Sequence, residues 1–206
     1  PELKANKITL LYNGNLPPAL EKELTDYFLA EVLAFLQPVV LNEDTTFFPE
    51  NNKLYFVIQL RNTDEEKLML LNIPSDELPR FYSTKCDGGQ FICFLDDIIR
   101  FNLDKLFKTF TIEGCYSIKI TRDAELDLKD EYPGELSEQI EKQLQKRDNG
   151  LATRFLHQAD LPLRLLQLVI QHFGLQNAGT VEGGRYHNLK DFYSLPVNTP
   201  ALLYDK

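Results

Sequence analysis

The sequence holds 206 residues, 43% hydrophobic and 26% charged, and 31 acidic against 22 basic side chains leave a net charge of -9. A chain of this length buries roughly 70% of the surface its unfolded form exposes, so it folds as one large domain or two small ones without staples. The acidic balance argues against a free-standing phosphate- or nucleic-acid-binding surface, because phosphate contacts need Lys and Arg, so any polyanion contact must be local, and no apolar run approaches the ~20 residues that span a membrane.

The chain starts Pro1-Glu2-Leu3-Lys4 without a methionine, which suggests a fragment of something longer, and nothing at its start reads as a signal peptide. Residues 7–12 read as a short strand, and Asn13-Gly14-Asn15 turns the chain into a helix opened by Pro17-Pro18. Leu20, Leu24, Phe28 and Val32 recur every four residues, widened by Tyr27 and Phe35, so the helix is expected to run to about Leu36 and stop before Pro38. Residues 42–53 are polar and turn-rich, a loop. Leu54–Arg61 and Lys67–Ile73 then form a hairpin across Asn62-Thr63-Asp64-Glu65-Glu66. The prolines at 74 and 79 mark an edge or connecting segment, and 82–90 is left without a defined element.

A strand at Gln90–Leu95 runs into a helix from about Asp96 to Lys108, with Asp96 or Asp97 as its cap. Residues 114–122 alternate as another strand, and a charged surface helix follows Tyr132-Pro133-Gly134 to about Arg147. A strand at Ala152–His157 leads to a helix over Leu161–Phe173, capped by Asp160 and ended by Gly174. Strands and helices mix without strict alternation. The fold class is therefore α+β, a mixed and mainly antiparallel sheet with several amphipathic helices packed on it.

Residues 180–195 gather basic, aromatic and hydrogen-bonding side chains behind a glycine pair. Gly183 and Gly184 take φ > 0 at little cost, so their N–H groups are candidates to line an anion cradle, with Arg185, His187 and Lys190 facing phosphate. Asn188 or Asp191 would start a short helix there. The competing reading is a tight turn into a last helix packed by Leu189, Phe192 and Tyr193. Asp123, Glu125 and Asp127 would share one face of an extended chain and are weak Mg²⁺ candidates, but a solvated strand end is the favoured reading because no phosphate-binding loop accompanies them. The histidines 157, 172 and 187 show no metal-ligand spacing. Cys86, Cys93 and Cys115 show no CxxC and read as reduced thiols in a reducing cytosol, Cys93 and Cys115 in buried positions. No recognised nucleotide-binding or hydrolase motif occurs. Two functions compete on residues alone: a non-catalytic domain of a larger enzyme, or a small phosphate-ligand-binding module built on Gly-Gly-Arg-Tyr-His-Asn.

Several strings resemble the middle (head) domain of the long-chain polyphosphate kinase family. They are Ile73-Pro74-Ser75-Asp76 with Leu78-Pro79-Arg80-Phe81, then Leu95-Asp96-Asp97-Ile98-Ile99-Arg100, then Tyr116 to Glu125, then the proline-capped helix and Gly183 to Phe192. They fall in the family's order and cover nearly all of 1–206. The resemblance implies a parent enzyme that moves the γ-phosphate of ATP reversibly onto polyphosphate through a phosphohistidine, with Mg²⁺ and arginines in C-terminal domains and an ATP-contacting asparagine in an N-terminal one. Those segments lie outside this chain, so no catalytic role carries over, His187 is not the phosphorylated residue, and neither ATP nor Mg²⁺ is expected on this chain alone. What carries over is a structural role: a domain that projects from the body, contacts the N-terminal and catalytic domains and helps hold a cytoplasmic homodimer together. Peripheral membrane association is an expectation for the full-length enzyme alone.

Overall fold

The computed structural model describes residues 2–43, 45, 47–122 and 152–197. The expected acidic cluster at Asp123 and Glu125, the charged helix ending near Arg147 and the tail beyond 197 lie outside the described residues.

Strand β3 (Leu54–Arg61) is the centre of the larger sheet, paired antiparallel along its whole length with both β4 (Glu66–Ile73) and β7 (Thr111–Arg122). Both of its faces meet a hydrophobic core, which is why its sequence is almost continuously apolar rather than alternating. Leu54, Phe56, Ile58 and Leu60 enter one core and Tyr55 and Val57 the other. The β3–β4 turn is closed by Asn62, whose Oδ1 accepts N–H bonds from Asp64 and Glu65, both at 2.8 Å. The sheet order is completed by β2 (Pro38–Val40) on the outside of β4, and by β8 (Ala152–Gln158) and β9 (Gly179–Gly183) beyond β7. Strands β8 and β9 run parallel, joined by helix α5 (Leu163–His172).

One core lies under helix α2 (Pro18–Tyr27), which continues as a π-turn (Phe28–Val32) and a 3-10 turn (Leu33–Phe35). The sequence explains the change. Leu20, Leu24, Phe28 and Val32 are spaced by four, but an α-helix turns every 3.6 residues, so such a stripe drifts off the buried face unless the helix widens. With the π-turn all four are at most 2% exposed. Helix α5 (Leu163–His172) covers the opposite sheet face with Leu165 and Val169, and Gly174 at φ 63 ends it as expected. Asp160 does not cap it; Pro162 holds the N-cap position.

Three further expectations are corrected. Residues 82–90 are not irregular: β5 (Phe81–Cys86) and β6 (Gly89–Phe94) form a hairpin whose turn, Asp87 at φ 50 and Gly88 at φ 74, suits the natural twist of paired strands. Parallel pairing of β6 with β1 (Ile8–Leu11) makes a second, three-stranded sheet, so the mixed architecture has two sheets rather than one. The helix expected from 96 to 108 breaks at Asn102 into α3 (Leu95–Phe101) and α4 (Leu103–Leu106). Buried Asn102 donates Nδ2 to the Ile98 carbonyl at 2.9 Å, an alternative to the helical ladder that its side chain makes available. A short helix α1 (Glu2–Ala5) precedes β1.

Because Phe28 is fully enclosed at the π-turn, Phe28→Ala is expected to cost about 3–5 kcal/mol in denaturant unfolding. Leu29→Ala, one residue on and 49% exposed, should cost under about 1 kcal/mol. Equal losses would show that the π-turn does not set the buried stripe.

Candidate functional site

Strand β6 passes directly into α3 at Phe94, and this places two consecutive carboxylates, Asp96 and Asp97, in the first turn of a helix whose other faces are apolar. Each is 1% exposed. Burial at that level demands compensation of each charge. Arg80, itself buried, forks onto Asp96: Nη2 donates to Oδ1 at 2.8 Å and Nη1 lies 2.7 Å from Oδ2. Its Nε reaches Asp191 at 3.3 Å. Asp97 takes Arg185 through Nη2 at 3.1 Å and Nε at 3.3 Å, and its second oxygen accepts the Tyr186 hydroxyl at 2.5 Å. That hydroxyl in turn accepts the Asn13 N–H, and the Tyr186 ring stacks on Phe94 at 4.0 Å.

A second layer continues inward. Arg100 stacks over the Phe56 ring at 4.5 Å and donates to Gln158 Oε1 at 2.8 Å and to the Cys115 carbonyl. Gln158 Oε1 also accepts the Ser117 N–H at 3.1 Å, while the Ser117 hydroxyl donates to the Arg185 carbonyl at 2.7 Å. Lys119 donates to Asn188 Oδ1 at 2.7 Å. Asn188, in the left-handed region at φ 62, leads into a 3-10 turn (Leu189–Ser194). Residues 183–195 thus form a strap laid across β6, α3 and β7.

Titration behaviour follows from this packing. Burial works against the Arg185 cation, but the Asp97 charge and hydrogen bond outweigh it and raise its pKa. Burial pushes the Asp96 carboxyl up, against the pull of Arg80 and Arg100. Burial also lowers His187 to about 4, opposed by the Ser117 backbone and assisted by Arg80, Lys119 and Arg100. His187 is 5% exposed and its Nε2 is enclosed without a hydrogen-bond partner. Burial drives the Cys115 thiol up to about 11, Cys93 is raised in the same way, and all three cysteines are free.

The strap differs from the expected anion cradle. Neither Gly183 nor Gly184 adopts positive φ. Gly183 ends strand β9, where a Cβ would approach Leu156 Cδ1 to 2.9 Å and His187 Cε1 to 3.5 Å, so glycine serves close packing there. Arg185 is committed to Asp97 and His187 is buried; of the expected phosphate-facing side chains, Lys190 is the exposed one. Leu189 and Tyr193 do not pack a final helix, being 75% and 98% exposed, whereas Phe192 meets Phe81 and Phe94 at 5.6 and 5.8 Å. Asp96 and Asp97 hold guanidinium groups rather than capping α3. Two hollows of about 450 and 160 Å³ occur elsewhere, one against α2 and α4 and one near Phe35 and Tyr55, and neither is lined by the strap. Among the described residues no group of three His, Cys, Asp or Glu is placed to hold a metal. The residues missed from sequence are Arg80, Arg100, Ser117, Lys119, Gln158 and the structural use of Asp96 and Asp97. Their one local signal is an Asp-Asp pair inside the apolar run Phe-Ile-Cys-Phe-Leu-Asp-Asp-Ile-Ile.

Asp97→Ala strands the partly buried Arg185 cation and the Tyr186 hydroxyl, and should cost about 3–5 kcal/mol. A double-mutant cycle with Arg185→Ala should show strong coupling, and additive losses would refute the pairing. His187 stays neutral in the fold but protonates readily once unfolded. Stability is therefore complete above the unfolded pKa of 6.5 and is lost as pH falls from there toward about 4. Over that window the loss is on the order of 3 kcal/mol. His187→Gln should flatten this limb in unfolding measured from pH 7 to 4, whereas an unaltered slope would assign the acid sensitivity elsewhere.

Comparison with known proteins places the chain in a family. The family model described as the polyphosphate kinase middle domain matches residues 19–195. The polyphosphate kinases of Vibrio parahaemolyticus and Vibrio cholerae are 34% and 35% identical over 205 residues, covering 95% of this chain and 29% of each relative. That of Escherichia coli K12 is 32% identical over 214 residues, covering 100% of this chain and 31% of the relative. The crystal structure of polyphosphate kinase from Porphyromonas gingivalis superposes with a TM-score of 0.77 at 25% identity, over 98% of this chain and 29% of that one. The chain thus spans about three-tenths of the length of the relatives it matches. On the extent of the family match and these identities, the chain belongs to the polyphosphate kinase middle-domain family.

Proposed function

We propose that residues 1–206 are one structural, dimerising domain of a cytoplasmic enzyme that transfers the γ-phosphate of ATP reversibly to polyphosphate. The transfer runs through a phosphohistidine outside this chain. The observation that carries the reading is the direction of the strap's polar contacts. Arg185 and Tyr186 point their donors at buried Asp97, so the family's most recognisable string works as a fastening inside the domain.

The histidines fit the same reading. His157 and His187 are 6% and 5% exposed, too enclosed to meet a nucleotide phosphate, and His172 ends α5 against the Phe173 ring. ATP and Mg²⁺ are assigned to the N-terminal and catalytic domains of the parent. Asp96 and Asp97, the adjacent buried carboxylates of this chain, are committed to guanidinium groups and fit no metal. The alternative of a small phosphate-ligand-binding module loses its support once Gly183 and Gly184 are found outside the left-handed region. Phosphate contact within the strap is retained for exposed Lys190. None of the described helices is long and apolar enough to cross a membrane.

Incubated with γ-labelled ATP, the 206-residue chain should incorporate no label, and light scattering of the full-length enzyme should return a dimer. Label on any of the three histidines would overturn the assignment.

A further inference from the structure

The strap brings together three cations that the ion-pair lattice leaves over. Register places Lys119 opposite Leu156 and Thr121 opposite Arg154, so Lys119 and Arg154 are diagonal neighbours on one face of the β7–β8 ladder. Diagonal neighbours lie about 7–8 Å apart. The strap reaches the same face, because Lys119 donates to Asn188 and Lys190 follows two residues later. Among the described residues no carboxylate lies within 4.0 Å of Lys119, Arg154 or Lys190, although the chain carries a net charge of -9. Asp191, the carboxylate that does act on Lys119, is itself engaged by Arg80.

Lys119 is not an ordinary solvated lysine. It is half-buried, and burial together with Lys190 and Arg154 lowers its pKa. A partly desolvated ammonium facing two further cations is unfavourable by itself and becomes favourable when an anion joins it. Asn188 takes one of its three N–H donors, which leaves two for oxyanions. Arg154 and Lys190 are exposed and Lys119 is partly exposed. The trio spans more than one oxyanion, which suits a chain of linked phosphates better than a single inorganic phosphate.

We propose that Lys119, Arg154 and Lys190 form an anchoring site for a phosphate chain on the strap face of this domain, separate from the transfer chemistry. This inference rests on the reading of the parent as an enzyme of polyphosphate. It names the residues that would contact the polymer here, two of which lie outside the glycine-led segment.

The test uses the full-length enzyme and a fluorescently labelled long-chain polyphosphate, with anisotropy read in the absence of ATP. The triple variant K119Q/R154Q/K190Q is expected to bind about tenfold or more weakly, with a shallower salt dependence, since fewer neutralised phosphates release fewer counterions. Its affinity for ATP should match wild type, whereas loss of the Lys119–Asn188 bond should lower its thermal midpoint slightly. The exposed pair R154Q/K190Q, which cannot disturb the Lys119–Asn188 bond, should show part of the same loss, and K119R/K190R should restore binding. Unchanged polyphosphate affinity in both variants would overturn the proposal. Loosened domain docking in limited proteolysis, with polyphosphate binding intact, would also overturn it and assign the patch to an acidic segment of the same polypeptide. Failure of the wild type itself to bind polyphosphate would instead discredit the reading of the parent.

Discussion

Two adjacent carboxylates buried at the start of α3 constrain the rest of the domain. Removing a carboxylate from water costs several kcal/mol even after the protein relaxes, and the cost is recovered only with close, well-directed partners. Those partners come from far apart in the chain. Arg80 precedes β5 and Arg185 follows β9, 16 and 88 residues from the acids they meet. Each pairing fixes a neighbour: Arg80 holds the small sheet and Asp191 of the strap, and Arg185 with Tyr186 holds the β1–α2 connection through Asn13. Few hydrophobic contacts would specify the relative placement of the two sheets so narrowly, because apolar packing tolerates sliding and a forked guanidinium does not.

How much of this was legible depended on the range of the interaction. The β3–β4 hairpin, the apolar stripe of α2 and the Gly174 stop of α5 are local, and periodicity or turn chemistry announces them within about a dozen residues. The π-turn was also written in the four-residue spacing of Leu20, Leu24, Phe28 and Val32, which is too long for a regular helix. The β5–β6 hairpin carried a clear Asp87-Gly88 signal, but Pro74 and Pro79 drew attention to the segment before it. Strand β9 was not legible: Gly-Thr-Val-Glu-Gly has little strand preference and is held by parallel pairing with β8, across an intervening helix. Non-local ion pairs have no sequence period, so the strap's basic residues looked available to a ligand when one was already spoken for.

That distinction bears on function. A conspicuous string such as Gly-Gly-Arg-Tyr-His-Asn invites assignment to substrate, yet its chemistry here is spent within the domain. The face that remains cationic is assembled from β7, β8 and the exposed turn of the strap. Neither half is unusual alone. Their juxtaposition follows from a register and from one hydrogen bond between Lys119 and Asn188, and both depend on the strap's being fastened. Residues 183–195 therefore have an inner side fastened to Asp97 and an outer side that adds Lys190 to the cationic face.

The hydrogen bond between Asn13 and Tyr186 joins positions 173 apart, so the two ends of the contact are made at very different times during synthesis. A ribosome releases β1, β6 and α3 well before residues 185 and 186 exist. Until those emerge, Asp97 lacks the Arg185 guanidinium and the Tyr186 hydroxyl that it contacts in the finished domain, and burying its charge without them is unfavourable. The charge pair that fastens the finished domain is thus one that only a nearly complete chain can form, so closing the protein over Asp97 becomes favourable only with β9 and the strap in place.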